Sequence, residues 1–89
     1  MNSKMSWELQ IAKNAKKSLK LFPKKDADKI LSALEDFFNS PYSGDIEKIE
    51  GEENTWRKRV GNYRIIYDID KNNKIISVRI ISRRASNTY

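Results

Sequence analysis

Apolar and polar residues alternate in two different ways at the start of the chain. In Ser6–Ile11 every second residue is apolar, which is the period of a half-buried strand. From Ala12 the apolar positions recur at helical spacing up to Phe22, and Pro23 ends that run and suits the first turn of another helix. The pattern therefore predicts a strand and then a helix over residues 12–22.

A second helix is predicted from Lys24, with an apolar stripe that has no missing position. The members of the stripe are Ala27, Ile30, Leu31, Leu34, Phe37 and Phe38. Pro41 disfavours helical geometry at the residue before it, so we expect the helix to end near Asn39. The two helices would form a hairpin.

The rest of the chain is β-rich. A short strand is expected at Ile46–Ile49, between turn-rich connections. Trp56–Val60 and Tyr63–Asp70 flank Gly-Asn, a favourable two-residue hairpin turn, and Lys74–Arg83 is rich in β-branched residues. The predicted order is β-α-α-β-β-β-β in one α+β domain over residues 1–89, with the helical hairpin on one face of a small, mainly antiparallel sheet.

Strand alternation predicts which side chains reach the face that the helices leave open. Arg57 and Arg59 lie on the opposite side of their strand from Trp56, and the tight turn brings Arg64 beside them. Trp56 and Tyr67 are expected in the core. We therefore expect the three arginines to lie together on the open face.

The last strand carries further arginines. Its apolar side is predicted to consist of Ile76, Val78 and Ile80, with Arg79 and Arg83 pointing away from it. Arg79 is expected to pair with Asp68 or Asp70 across the sheet and to be structural.

Charge is distributed unevenly along the chain, and the distribution indicates what kind of partner the protein binds. The net charge is +6, yet residues 1–54 hold nine Lys against ten Asp/Glu, whereas residues 55–89 hold nine Lys/Arg against two Asp. All six arginines lie in the second part. Arginine suits bidentate phosphate contacts, so a nucleic-acid partner is favoured over a merely solvated basic surface.

Composition also excludes several chemistries. The chain has no cysteine and no histidine, so a Cys-based zinc site and a histidine general base are both excluded, and no metal or cofactor is expected. No apolar run reaches the length of a membrane span or signal segment, so we expect a cytoplasmic protein without a membrane partner.

The segment TWRKRVGNYRIIYDID resembles the signature of RelE/ParE-type toxins, with its aromatic and basic strand before V-G-x-Y-R. The ending ISVRIISRRASNTY is similar to the closing strand, basic pair and tyrosine of that family, and WELQIAKNAKKSLKLFP to its first strand and helical hairpin. The resemblance covers essentially the whole chain and implies the RelE-like fold.

The resemblance also implies a function. RelE-like members cut mRNA in the ribosomal A site and are neutralised by a co-expressed antitoxin, which predicts a toxin–antitoxin hetero-oligomer here. Carried over by position, the catalytic set would be Arg59, Arg64, Arg84 and Tyr89. RNA and phosphate contacts would come from Arg57, Lys58, Arg59 and Arg83, and spacing leaves Arg83 and Arg84 as alternatives for one functional arginine.

Cleavage by the RNA's own 2′-OH needs a proton acceptor, a proton donor and charge stabilisation at the phosphorus. Arginines supply only the last, so Tyr89 is the main candidate for proton transfer, with Asp68 or Lys58 as remote alternatives. A ParE-like inhibitor of DNA gyrase without nuclease activity, or an inactive homologue that binds an antitoxin, remains an alternative.

Overall fold

Two helices and five strands make up residues 7–84, the part of the chain that the computed structural model describes. In chain order they are β1 (Glu8–Ile11), α1 (Lys13–Leu21), α2 (Lys24–Asp36), β2 (Ile46–Lys48), β3 (Thr55–Val60), β4 (Tyr63–Asp70) and β5 (Ile75–Arg83). The predicted order of elements is confirmed. Ser6, at the start of the first predicted strand, and Tyr89 lie outside the described residues.

The five strands form one sheet in the order β1-β5-β4-β3-β2. The pairs β2–β3, β3–β4 and β4–β5 are antiparallel, and β1 runs parallel to β5. The mainly antiparallel sheet is therefore confirmed. Because the first strand pairs with the last, β5 lies inside the sheet, and the short strands β1 and β2 form its edges.

The helices follow the predicted hairpin, with one difference at the end of α2. The helix ends at Asp36, three residues before the predicted Asn39. The N–H groups of Phe37, Phe38 and Asn39 bond to carbonyls three residues back, at 3.0–3.1 Å. The last turn is thus tightened to the i→i−3 pattern that is common at helix ends. In the described range, no helix is long and apolar enough to cross a membrane.

The hydrophobic core lies between the helices and one face of the sheet. The helices contribute Ala15, Ile30, Ala33, Leu34 and Phe37, and the sheet contributes Tyr63, Ile65, Tyr67, Ile69, Ile76, Val78 and Ile81. Burial of one such Ile or Phe side chain stabilises the fold by roughly 1.5–3 kcal/mol. Tyr67 is fully buried, its hydroxyl donates to the carbonyl of Pro41 at 3.0 Å, and Trp56 packs against the same cluster, so both predicted core aromatics are confirmed.

A bulge in β5 overturns part of the predicted face of that strand. The β4–β5 register shifts between Ile66 and Tyr67, where Ile66 pairs with Ile80 but Tyr67 pairs with Val78. One extra residue on β5 reverses the alternation beyond it. Ile81 therefore enters the core, whereas Ile80, predicted to be apolar core, is 45% exposed on the open face.

The same shift moves Arg83. Its cross-strand partner is Tyr63, a residue of the helix-facing side, so strand alternation assigns Arg83 to that side and not to the open face. The prediction that Arg83 points away from the apolar side was wrong because strict alternation was assumed through a bulge. Arg83 remains exposed at the end of the sheet.

The turn Gly61-Asn62 joins β3 to β4 as predicted. Gly61 has φ +57°, whereas Asn62 keeps a negative φ. Positive φ at the first of two central residues is what a type II′ hairpin turn requires, and glycine adopts it without steric cost. The turn fixes Arg59 directly opposite Arg64.

Candidate nucleic-acid interface

Three arginines meet on the side of the sheet away from the helices. Arg57 pairs with Ile66 and Arg59 with Arg64 in the β3–β4 register, so their side chains share the open side of two adjacent strands. We call the surface around Arg57, Arg59 and Arg64 the arginine face. Neighbouring strands lie about 4.8 Å apart, so the three guanidinium groups lie close enough together to face one polyanion.

Carboxylates from the outer edge of the sheet hold two of these arginines. Arg57 forms an ion pair with Glu47, its cross-strand partner on β2. Arg59 lies 3.8 Å from the Asp45 carboxylate, measured from Nε to Oδ2. Both pairs are partly exposed, and such surface pairs contribute only about 0–1 kcal/mol, so an incoming phosphate can displace the carboxylates.

Arg64 differs from its neighbours. Among residues 7–84 it has no ion-pair partner, and its side chain is half-buried in the middle of the sheet. A guanidinium held by packing and not by a carboxylate keeps its hydrogen-bond donors available to a bound anion. Among Arg57, Arg59 and Arg64, only Arg64 therefore has no carboxylate to displace before it can contact an anion.

Arg79 has the structural role that was predicted for it. Its Nε donates to Oδ2 of Asp68 at 2.7 Å, and the Thr55 hydroxyl also bonds to the Asp68 carboxylate, at 2.5 Å. The prediction of an Arg79–Asp68 pair is confirmed. Asp68, the remote alternative proton acceptor, is thus occupied by two partners inside the sheet.

The end of β5 approaches the β3–β4 turn. The backbone N–H of Arg84 donates to the carbonyl of Asn62 at 2.6 Å, which places Arg84 beside the turn at the basic end of the arginine face. Arg83 lies one residue earlier, opposite Tyr63. Tyr89, the predicted proton-transfer residue, lies outside the described residues.

Lys58 does not belong to the arginine face. It is only 5% exposed, on the helix side of β3, with its Nζ 3.4 Å from the carbonyl oxygen of Ala33 and 4.8 Å from the centre of the Phe37 ring. Burial lowers its pKa, an effect that nearby Asp36 partly opposes. The predicted RNA contact through Lys58 fails because strand alternation directs this side chain under the end of α2.

Gly44 leaves room for the buried ammonium group. A Cβ at that position would lie 3.0 Å from Cε of Lys58, and its φ of +87° already favours glycine. The loop before β2 is therefore closely fitted around Lys58. Lys58 connects β3 to the last turn of α2, where a cation also interacts favourably with the helix dipole.

Tyr63, within the VGNYR motif, links the turn to α2. Its hydroxyl donates to Oδ2 of Asp26 in the first turn of that helix, at 2.7 Å. The hydrogen bond to Asp26 raises the pKa of Tyr63, burial adds to that rise, and nearby Arg83 opposes it. Tyr63 is therefore a neutral structural anchor that holds the turn against the helices.

Sequence reasoning missed Asp45 and Glu47 as members of the arginine face. Both belong to a loop and a three-residue strand whose pairing partner was not predicted. The alternation of Ile46, Glu47 and Lys48 was a usable signal, because it places Glu47 on the polar side of an edge strand. In the described part of the chain, no group of three or more acidic residues is arranged to hold a metal ion.

The fold and this surface together define a class of protein. Two solved structures align over most of the chain. RelE in the archaeal RelE–RelB complex from Pyrococcus horikoshii aligns with TM-score 0.81 and 26% identity, over 93% of this chain and 100% of that one. The isolated Escherichia coli RelE toxin aligns with TM-score 0.80 and 14% identity, over 92% of this chain and 88% of that one. The second likeness shows the fold alone. The architecture is the RelE-like α+β fold.

The sequence carries the identification further. Residues 9–86 match the family described as ParE toxin of type II toxin–antitoxin system, parDE. A Methanocaldococcus jannaschii protein that carries the name RelE1 is 30% identical over 83 residues, which cover 90% of this chain and 92% of that protein. The chain belongs to the RelE/ParE superfamily of toxins from type II toxin–antitoxin systems.

Proposed function

We propose that this toxin cuts mRNA on the ribosome, by attack of the RNA's 2′-OH on the adjacent phosphodiester. The observation that carries the proposal is the convergence of Arg57, Arg59 and Arg64 on one open sheet face. Charge develops on the phosphate oxygens in such a reaction, and fixed guanidinium groups stabilise it without having to reorganise.

The three arginines would divide the work. Arg64, without a carboxylate partner among the described residues, binds the scissile phosphate and stabilises the phosphorane. Arg57 and Arg59 exchange their carboxylates for neighbouring phosphates when RNA enters. Arg84, beside the Gly61-Asn62 turn, extends the basic surface toward the end of the chain.

Proton transfer requires groups other than arginine. Glu47 is a carboxylate on the arginine face, 65% exposed in its side chain, and can accept the 2′-OH proton when RNA displaces it from Arg57. Tyr89 remains the proposed donor to the leaving 5′ oxygen. Asp68 and Lys58 are less suitable, since the first is held by Arg79 and Thr55 and the second is buried on the other side.

An antitoxin is the proposed neutralising partner. The Pyrococcus horikoshii and Methanococcus jannaschii relatives were solved as RelE–RelB complexes, the latter with TM-score 0.69 and 32% identity over 83% of this chain and 88% of that one. An acidic segment of such a partner would compete with RNA for the arginine face. Gyrase inhibition stands as the second candidate, because the matching family is described by ParE.

Mapping of mRNA ends on translating ribosomes tests the proposal. Primer extension should show new 5′ ends within codons when the wild-type protein is added. Arg64→Ala should lower the cleavage rate by about 10²–10³-fold, the usual effect of removing one donor to the developing charge. Lys71→Ala, in the turn after β4, is the matched control and should cut at the wild-type rate.

Two results would contradict the proposal. Intact mRNA at saturating protein excludes the nuclease, and loss of DNA supercoiling by purified gyrase under the same conditions selects the ParE-like activity.

Tyr89→Phe should lower the cleavage rate without weakening RNA binding. A cleavage rate unaffected by Tyr89→Phe would remove this residue from the mechanism.

A further inference from the structure

The bulge in β5 places an apolar pair in the middle of a cationic surface. Without the extra residue, Ile80 would share the side of buried Val78 and lie in the core. The bulge instead turns Ile80 to the open face, directly opposite Ile66 on β4. Bulges often re-aim a side chain beside an active site, and this one exposes Ile80 while Ile81 enters the core.

The apolar pair lies in register with the arginines. Across the open face, Glu47, Arg57, Ile66 and Ile80 form one row, and Arg59, Arg64 and Ser82 form the next. Residues two apart on a strand are separated by about 7 Å, so the apolar pair and the Arg64 row are roughly one nucleotide's base-to-phosphate distance apart. A nucleotide whose phosphate contacts Arg64 can therefore lay its base over Ile66 and Ile80.

We propose that Ile66 and Ile80 form a seat for one unstacked nucleobase of the RNA. The inference rests on the proposed RNA cleavage and adds a base-contacting subsite to it. In RNA each nucleobase has a flat surface of low polarity and is linked through its ribose to a phosphate, so an apolar surface next to a cation suits one nucleotide. The two rows of the open face have this combination.

The surrounding charge favours RNA over an apolar protein segment as the occupant. Arg57, paired with Glu47, and Arg79, paired with Asp68, flank the two isoleucines. Arg64, two residues from Ile66 along β4, has no carboxylate partner among residues 7–84 and supplies the uncompensated positive charge. An exposed isoleucine alone is ordinary on protein surfaces. Here the exposed isoleucine is cross-strand paired with a second one, half-buried, and both lie within the phosphate-binding residues.

Removal of the base, and not of the phosphate, tests the seat. Wild-type protein is titrated with a fluorescein-labelled six-nucleotide RNA and with an abasic ribose-phosphate oligomer of equal length, at low salt. We expect the RNA that carries bases to bind about tenfold more tightly, the factor expected for burial of roughly 55 Å² of apolar surface. Ile80→Asn and the β-branched variant Ile80→Thr should each lose most of this preference without changing the affinity for the abasic oligomer.

Two control variants distinguish affinity lost through base contacts from affinity lost through phosphate contacts. Ile75→Asn makes the same change on the same strand, at the end where Ile75 pairs with Asp70, and should keep the wild-type preference. Arg64→Ala should weaken both oligomers by similar factors. Thermal unfolding of each variant identifies any loss of affinity that comes from an unfolded protein.

The outcomes distinguish failure of the proposed base seat from failure of the proposed mRNA cleavage. If Ile80→Thr keeps the wild-type preference, or the wild-type protein binds both oligomers equally, the seat is overturned while mRNA cleavage on ribosomes still stands by its own assay. If neither oligomer binds and no mRNA is cut, the proposed function and the seat fail together. If Ile80 variants lose the preference and Ile75→Asn does not, the seat is established.

Discussion

Glu47 and Arg57 face each other across the outer strand pair, so a carboxylate lies next to an arginine of the arginine face. The pair has two opposite effects on RNA. The carboxylate competes with the phosphate for Arg57, and the same carboxylate is available to accept a proton. One substitution separates these effects.

We expect Glu47→Gln to bind single-stranded RNA more tightly than the wild-type protein and to cleave mRNA 10²–10⁴-fold more slowly. Binding tightens because Arg57 loses its competing charge, and cleavage slows because the amide cannot accept the 2′-OH proton. Fluorescence anisotropy and single-turnover cleavage on ribosomes measure the two quantities. Glu50→Gln, an exposed neighbour in the connection after β2, should change neither.

A wild-type cleavage rate in Glu47→Gln would assign the proton to another group. Slower cleavage together with weaker binding would instead show that Glu47 positions Arg57 and takes no proton. Only the combination of tighter binding and slower cleavage fits the proposed role.

At the scale of the elements, the β3–β4 hairpin depends on the backbone of Gly61. With φ at +57°, an alanine there meets no neighbouring atom but incurs the local strain of a left-handed conformation. We expect Gly61→Ala to lower the free energy of unfolding by about 1–2 kcal/mol. Gly61→Asn should cost less, because asparagine tolerates positive φ. Urea unfolding followed by circular dichroism provides the comparison, and equal losses in both variants would contradict the backbone explanation.

The contact between β3 and α2 should depend on pH through Lys58. Burial lowers the pKa of Lys58 in the folded chain, so between that lowered pKa and the ordinary value near 10.4 the unfolded chain binds more protons. Stability contributed by this group therefore increases as pH rises through that window. We expect Lys58→Met to show a smaller increase than the wild-type protein, and to be at least as stable at neutral pH.

The control for this measurement is Lys48→Met on the exposed strand β2. The pH dependence of this variant should match that of the wild-type protein, since Lys48 lies on the surface, away from the buried contact of Lys58. Chemical unfolding between pH 8 and 10.5 gives the slopes. Identical slopes for Lys58→Met and the wild-type protein would show that Lys58 is solvated in the folded chain.

The elements themselves were predictable because each has a local cause. The apolar stripe of α2, the proline between the helices and the Gly-Asn turn all act within a few residues, and all appear where expected. The pairing of Arg59 with Arg64 followed from the length of that turn alone. Local periodicity was therefore enough to bring three of the predicted site residues onto one face.

The features that were missed arise from contacts between distant segments. The bulge that exposes Ile80 depends on the packing of β5 between β1 and β4, and no residue in the strand marks it. The ion pairs at Asp45 and Glu47 depend on β2 pairing with β3. Lys58 lies on the same side of β3 as Trp56, and its burial depends on the space beneath the end of α2.

At the scale of the whole molecule, the open face has two electrostatic ends. The Gly61-Asn62 end carries Arg59, Arg64 and Arg84. An open groove of about 700 Å³ occupies the other end. Four carboxylates line it, against the two cations Lys71 and Arg79: Glu52, Glu53, Asp68 and Asp70. A polyanion should therefore cross the basic end and be repelled from the groove.

Salt dependence measures how many phosphates the basic end contacts. If Arg57, Arg59 and Arg64 each neutralise one phosphate, the slope of log K against log salt for single-stranded RNA should be about −2, at roughly 0.7 per contact. Arg64→Ala should reduce its magnitude by about 0.7. The double variant Glu52→Gln, Glu53→Gln should leave the slope unchanged. A steeper slope in that double variant would show that RNA also crosses the groove.

The position of β5 inside the sheet has a consequence for synthesis. β1 and β4 each pair with β5 and not with each other, so the two sides of the sheet cannot join until β5 has been synthesised. A nascent chain that has emerged only as far as the β3–β4 hairpin already carries Arg57, Arg59 and Arg64, but without the strand that supports them. We therefore expect the arginine face to be complete only after β5 has joined the sheet, and a partner that binds β5 before then would meet the chain before that surface has formed.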